Sequence, residues 1–339
     1  MQRILLTGSS GFVGSHFIKL YHTKYHIIAL VRPSSDVSSI APYCEIACYD
    51  GSTESLEAIF ASYYIDGVVH LAAFVQSGHS GASDIASLVA ANITLGVQIL
   101  ELIAKTNACF FINTLSYFQF ANASSYSPFN LYAATKQAFY DICVHYAKTL
   151  PTKIVHILLY DTYGEMDTRG KILSLWRDLL CQKSPKNLAM SDGLQVLDLT
   201  HIDDIASGFA LAIDSIDCLY TNTIYTLESA NRISLKDLAS LFETLANASL
   251  PLDFGMRKSA IPPIQVPLSV DEICTKASFA NKCAKTGGGG GMYLAQTPNQ
   301  AYLHTSMPIA KLPNYTPKVS LESGLMRVIS TPSKQTKEQ

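Results

Sequence analysis

The chain has 339 residues, 48% of them hydrophobic and 15% charged, with a formal net charge of −2. That length can bury a large core as one domain or two coupled lobes. The near-neutral balance excludes the basic field of a nucleic-acid binder and leaves no acidic tail.

Short apolar runs alternate with longer helical patterns from the first residues. "RILLTG" (3–8), "HIIALV" (26–31), "CEIACY" (44–49), "GVVHLA" (67–72), "CFFIN" (109–113) and "KIVHILLY" (153–160) read as strands buried on both faces. Helical spacing of apolar residues runs through 13–24, 53–64, 83–105 and 130–150. Strand alternating with helix predicts right-handed crossovers and a doubly wound α/β fold around a parallel sheet, a Rossmann-type dinucleotide-binding domain over residues 1–160. Beyond 160 the rhythm breaks. A loop, "DTYGEMDTRGK", leads to a helix at 171–180, then a strand and helix at 194–213, a strand at 222–229 and a helix at 234–246. Residues 195–228 are expected to return to the first domain, with 161–194 and 229–330 forming a smaller substrate-binding lobe. Within that lobe 258–311 is atypical, carrying "GGGGG" at 287–291, and the polar tail 331–339 reads as disordered.

Eight cysteines, at 44, 48, 109, 143, 181, 218, 274 and 283, form no C-x-x-C pair. They read as buried or free thiols rather than disulfides or metal ligands, so no metal is expected. The start of the chain reads into a strand rather than a signal peptide, and no run approaches the ~20 apolar residues of a membrane span. A cytoplasmic protein with no membrane or nucleic-acid partner is expected.

The first strand and helix are joined by Gly8-Ser9-Ser10-Gly11-Phe12-Val13-Gly14. At such a junction one glycine permits the tight turn, the next lets backbone approach a pyrophosphate, and the third allows close helix packing. Free N–H groups at the helix start, around Ser10 to Val13, would face the anion. At the end of the second strand an acid suits a free ribose diol and a base suits a 2′-phosphate. Arg32 stands there, which favours NADPH, with NAD as second choice. After the third strand, Asp50-Gly51 could accept from an adenine amino group, although Asp-Gly is also ordinary turn chemistry.

Tyr132 and Lys136 stand four apart on a predicted helix and share a face. A free tyrosine, with a pKa of about 10, is a poor acid–base catalyst at neutral pH. A nearby ammonium stabilises the phenolate and brings it toward the working range. Ser116, after the fifth strand, can donate to a substrate oxygen.

With these residues the chain resembles the extended short-chain dehydrogenase/reductase family, over residues 1 to about 245 and again at 312–325. The resemblance is carried by the G-x-x-G-x-x-G loop, "HLAA" (70–73), Asn92, Ser116, "YAATK" (132–136) and "THIDDIA" (200–206). It implies catalytic roles for Ser116, Tyr132 and Lys136, with Tyr132 and Lys136 also touching the cofactor. It implies that Leu71, Ala72 and Ala73 line the cofactor and that Asn92 secures the sheet. It also implies a homodimer formed by helices around 84–105 and 130–149. Tyr160, Asp161, Tyr163, Lys171, His201 and Arg257 fall where members line a nucleotide-linked sugar, and the loop 75–81 falls near it. The acids of "THIDDIA" would cap and brace a helix, leaving His201 without a catalytic role.

Members that eliminate water carry an Asp-Glu pair after the catalytic hydroxyl, where this chain has Tyr117 and Phe118. Reductases and epimerases need no such acids. The segments 110–120, 127–139 and 158–175 resemble reductases of the 4-keto group of CDP- or dTDP-linked 6-deoxy sugars, enzymes of bacterial surface-polysaccharide (O-antigen) synthesis. An epimerase with tightly bound NAD, or a silent dinucleotide sensor, is the alternative. Glu165 replaces a proline common after "YG", which places a change at the expected substrate rim.

Overall fold

The computed structural model describes residues 1–75, 82–120, 126–229, 232–257 and 307–332. Residues 76–81, 258–306 and 333–339, which hold most of the loop 75–81, the glycine run and the polar tail, lie outside the described residues.

An eight-stranded parallel sheet forms the centre of the fold. Its strands are β1 (Arg3–Thr7), β2 (His26–Val31), β3 (Glu45–Cys48), β4 (Gly67–His70), β5 (Phe110–Ser116), β6 (Lys153–Leu159), β10 (Ile224–Thr226) and β13 (Ile309–Lys311). The order is β13-β10-β6-β5-β4-β1-β2-β3. The direction of winding therefore reverses between β1 and β4, the place where doubly wound sheets open a crevice at the carboxyl ends of their strands.

Alternate residues of β1 show why both faces must be covered. Ile4 and Leu6 pack into a core with α1 (Phe12–Tyr21) and α7 (Ile202–Asp214). Leu5 packs oppositely with α2 (Thr53–Ser62), α4 (Leu95–Ile103) and α5 (Leu131–Thr149). All three side chains are fully buried, as a parallel strand between two helical layers requires.

The stretch 83–105 is one apolar pattern but three conformations: α3 (Ala82–Val89), a π-helical turn at Ala90–Thr94, and α4. Contrary to the sequence expectation, Asp84–Ile103 is long and apolar enough to cross a membrane by length and composition. Its physical reason is visible in the packing. Leu95, Ile99, Leu100 and Ile103 serve the core, whereas Ile85 and Val89 add apolar surface on the exposed side.

The second lobe contains a three-stranded sheet, β11-β9-β7, made of β7 (Asp161–Tyr163), β9 (Val196–His201) and β11 (Arg232–Ser234). The pair β8 (Leu188–Ala189) and β12 (Leu252–Asp253) lies beside it in sequence. Trp176 of α6 (Ile172–Leu180), Phe242 of α8 (Leu235–Ala246) and Leu325 of α9 (Leu321–Ile329) share its core. Residues 195–228 divide between the lobes. Strand β9 pairs with β7 and β11, while α7 and β10 join the large sheet. Residues 309–311, expected in the smaller lobe, supply the edge strand beside β10.

Candidate active site

Gly8 has φ +66°, and a Cβ there would lie 2.7 Å from the Leu71 carbonyl carbon and 2.8 Å from the Ala72 nitrogen. The end of β4 thus closes directly on the glycine turn. The Gly11 N–H donates to the Gly8 oxygen at 3.0 Å. A Cβ on Gly14 would come within 2.4 Å of that same oxygen, so helix α1 can only pack there without a side chain. Gly11 is the N-cap of α1 and supplies no side-chain cap, which leaves amides at the helix start open to an anion. Ser10 and Gly11 are exposed and Phe12 and Val13 half-buried.

The Thr7 hydroxyl lies 3.0 Å from His70 Nδ1 and accepts from the Ala72 N–H at 2.9 Å. This ties β1 to the turn after β4 and fixes Leu71 and Ala72; Ala73 follows, exposed. Arg32 is exposed, in a turn closed by the Ser35 N–H on its carbonyl at 2.9 Å. Asp50 accepts from the N–H and hydroxyl of Ser52 at 2.8 and 2.6 Å, which holds its carboxyl down at about 2. Gly51 follows with φ +103°.

Ser116 ends β5 and begins a short turn. Its hydroxyl accepts from the Phe118 N–H at 3.3 Å, and Gln119 accepts from the Ser116 N–H at 3.1 Å. Gln119 then donates to Gln137 of α5 at 2.8 Å. Asn130 caps α5 by accepting from the Ala133 N–H at 2.9 Å, so the helix begins just before Tyr132. Asn92, in the π turn, accepts from the Phe74 N–H at 2.8 Å and donates to Thr135 at 3.0 Å. The loop after β4 is thereby bound to the helix carrying Tyr132 and Lys136.

Tyr132 is 8% and Lys136 1% exposed. Burial pushes the Tyr132 phenol up to about 12, opposed by a hydrogen bond with Ser116 and by the charge of Arg169. Burial also draws the Lys136 ammonium down to about 8. With Lys136 nearby, burial sends the His70 imidazole down to about 3, so it stays neutral. Arg169 is therefore a cation acting on Tyr132 that the sequence reading does not name.

A cavity of about 580 Å³ opens beside these elements and is lined by Asp161, Tyr163, Lys171 and Arg257, four of the six expected substrate residues. Tyr160 and His201 do not line it. Tyr160 is 5% exposed, its ring stacked on Tyr117 at 5.8 Å. His201 is the N-cap of α7: its Nδ1 accepts from the Asp203 N–H at 3.2 Å and its Nε2 meets Glu165 at 3.0 Å. Glu165 and Asp203 both bind Arg327 of α9, so Glu165 joins lobe elements rather than forming a cavity wall. Asp204 accepts the N–H groups of Lys318 and Val319 at 2.8 and 3.0 Å, the bracing expected of that acid.

Two residues absent from the sequence reading belong to this site. Asp167 lines the cavity, and Arg169 pairs with it while lying over Phe12 of the glycine loop. An Asp-x-Arg spacing in a loop was the one available signal.

The model of the NAD dependent epimerase/dehydratase family matches residues 4–227. CDP-abequose synthase of Yersinia pseudotuberculosis is 28% identical over 261 residues, 75% of this chain and 88% of that protein. UDP-glucose 4-epimerase of Caenorhabditis elegans is 22% identical over 309 residues, 75% of this chain and 86% of its own. A crystal structure of UDP-glucuronic acid 4-epimerase from Bacillus cereus, in complex with UDP-glucuronic acid and NAD, superposes with a TM-score of 0.75 at 21% identity, covering 99% of this chain and 100% of that one. The matched span includes both the glycine loop and the Tyr132–Lys136 helix, and the chain belongs to the NAD dependent epimerase/dehydratase family, as an NAD(P)-dependent enzyme of the extended short-chain dehydrogenase/reductase type.

Proposed function

We propose that this enzyme reduces the 4-keto group of a nucleotide-linked 6-deoxy sugar with NADPH, within surface-polysaccharide sugar synthesis. The observations that support the reading are the hydrogen bond between Ser116 and Tyr132, on the helix that also carries Lys136, and a glycine turn too tight for any side chain at Gly8 or Gly14. Those turns fit a dinucleotide: the uncapped start of α1 would hold its pyrophosphate, with Leu71, Ala72 and Ala73 along one side. Arg32, exposed beyond β2, would meet a 2′-phosphate, and Asp50 and Gly51 the adenine edge. The similarity to CDP-abequose synthase supports a CDP-linked sugar.

When bound, the cofactor supplies the hydride. Tyr132 gives its proton to the forming alkoxide oxygen, and the Ser116 hydroxyl donates to that oxygen and steadies the phenol. Lys136, one helical turn along, binds the nicotinamide ribose. Lys171 and Arg257 bring positive charge to the cavity for the substrate diphosphate, while Asp161 and Tyr163 meet the sugar. Ile85 and Val89 suit the homodimer contact of the helices around 84–105 and 130–149.

An NAD-dependent epimerase is the second reading, favoured by the fold likeness to an epimerase holding NAD. A screen of CDP-, dTDP-, UDP- and GDP-linked 4-keto-6-deoxy sugars, followed by NADPH absorbance, separates the two. Net oxidation with a new alcohol supports reduction, and interconversion of sugars without net cofactor use supports epimerisation.

A further inference from the structure

We propose that Gln119 is a positioning residue that sets the Ser116 hydroxyl for the Tyr132 phenol, held in place by Gln137 of the helix that carries that phenol. The inference rests on the proposed function only for the roles of Ser116 and Tyr132.

Ser116 ends β5 and is the N-cap of a short helical turn, Tyr117–Gln119. The Gln119 side-chain oxygen accepts from the Ser116 N–H at 3.1 Å, and the Ser116 hydroxyl oxygen accepts from the Phe118 N–H at 3.3 Å. One bond fixes the main chain of Ser116 and the other its side chain. With its oxygen turned to Phe118, the hydroxyl keeps its proton to donate, and Tyr132 is its hydrogen-bond partner.

Gln119 is fully buried and belongs to a chain of bonds with a fixed direction. Its amide nitrogen donates to the Gln137 oxygen at 2.8 Å, and the Gln137 nitrogen donates to Asp141 at 3.0 Å. Gln137 and Asp141 stand four apart on α5, so they share a face. A carboxylate only accepts, so Asp141 decides which way the Gln137 amide faces, and Gln137 decides for Gln119. Gln119 must then offer oxygen to the Ser116 N–H; reversed, it would set N–H against N–H. The main chain of the turn is tied down too. Gln119 and Phe118 accept through their carbonyls from the N–H groups of Ser127 and Phe129, each at 2.9 Å, on the approach to α5. The turn that aims Ser116 is therefore anchored to α5 by side chains and to the segment before it by main chain.

The cost of this arrangement points to its use. Buried amides destabilise unless every bond is made, and unbranched apolar side chains of the same length would fill the space without that demand. What the two glutamines add is direction, and the residue that receives it is Ser116.

The test places a fluorinated tyrosine at position 132 of the full chain, where the fluorines bring the phenol into an accessible range, and titrates it by fluorine NMR. Gln119→Met should move the midpoint up by about half a pH unit, because a loosened Ser116 donates less well to the phenolate. Gln137→Met, which leaves Gln119 free to turn, should move it the same way, and decides the matter if Gln119→Met does not fold. In a Ser116→Ala background neither substitution should move it further. The other groups acting near the phenol, Lys136 one turn along α5 and the charge of Arg169, are the same in every variant. A merely structural role would move the midpoint whether or not Ser116 is present. An unchanged midpoint in either folded variant, or a rise that persists with alanine at 116, would overturn the proposal. The titration uses no sugar, so it stands apart from whether any keto sugar is reduced.

Discussion

The Tyr117 hydroxyl donates a 2.8 Å hydrogen bond to the Asp161 carboxylate, joining the residue after Ser116 to the wall of the 580 Å³ cavity. Burial pushes the Asp161 carboxyl up, against the charges of Lys171 and Arg169 and the Tyr117 bond. In place of an acid directly after Ser116, this chain has a phenol that orients a carboxylate from another strand. Tyr117→Phe should cost about 1 kcal/mol of stability in urea unfolding. It should also raise KM for the sugar more than it lowers kcat, because Asp161 loses its orientation while the reacting groups stay in place.

Gly8→Ala tests the turn. The new methyl would meet Leu71 and Ala72 backbone at 2.7 and 2.8 Å, at a φ of +66° that side chains rarely adopt. Cofactor affinity, measured by fluorescence titration, should fall by about tenfold or more, as a strain of a few kcal/mol at the glycine turn proposed to hold the pyrophosphate implies.

Arg32→Ala tests the choice of cofactor. Loss of the exposed cation beyond β2 should weaken NADPH about tenfold and leave NADH nearly unchanged, the pattern of a lost phosphate contact. Equal losses for both cofactors would place Arg32 away from the 2′-phosphate.

Lys136 gives a pH prediction. Burial lowers its ammonium from 10.5 to about 8, so between those values the unfolded chain holds more protons than the folded one. Its charge therefore destabilises the fold fully below pH 8, and that cost is relieved as pH rises toward 10.5. Lys136→Met should be more stable than the parent at pH 7, by about 3 kcal/mol at most. The advantage should vanish by pH 10.5, while activity is lost throughout. Parallel stability curves for the two proteins would contradict a buried charged amine.

The strands were legible where both faces are buried. "HIIALV" forms β2 over its full length because each residue after His26 has a core to enter. The break inside 83–105 was hidden, since apolar spacing continues across the π turn that turns Asn92 inward. Strand β9 could be recognised as a strand, but hydrophobic pattern does not say which sheet receives it. Tyr160 and Asp161 are neighbours at the step from β6 to β7, and only Asp161 reaches the cavity. His201 was drawn away by Glu165, a partner from a different loop. Arg169 had no periodicity to mark it, because its meaning comes from Phe12, far along the chain, and from Asp167 in the same loop.

The most direct measurement follows NADPH absorbance and product together with a CDP-linked 4-keto-6-deoxy sugar, for the parent enzyme and Tyr132→Phe. The account predicts equal amounts of NADPH consumed and alcohol formed by the parent. It predicts a rate lower by about 10²–10⁴-fold in the variant, the usual worth of a positioned proton donor, with cofactor still bound. Sugar interconversion without net NADPH use, or an undiminished rate in Tyr132→Phe, would contradict it.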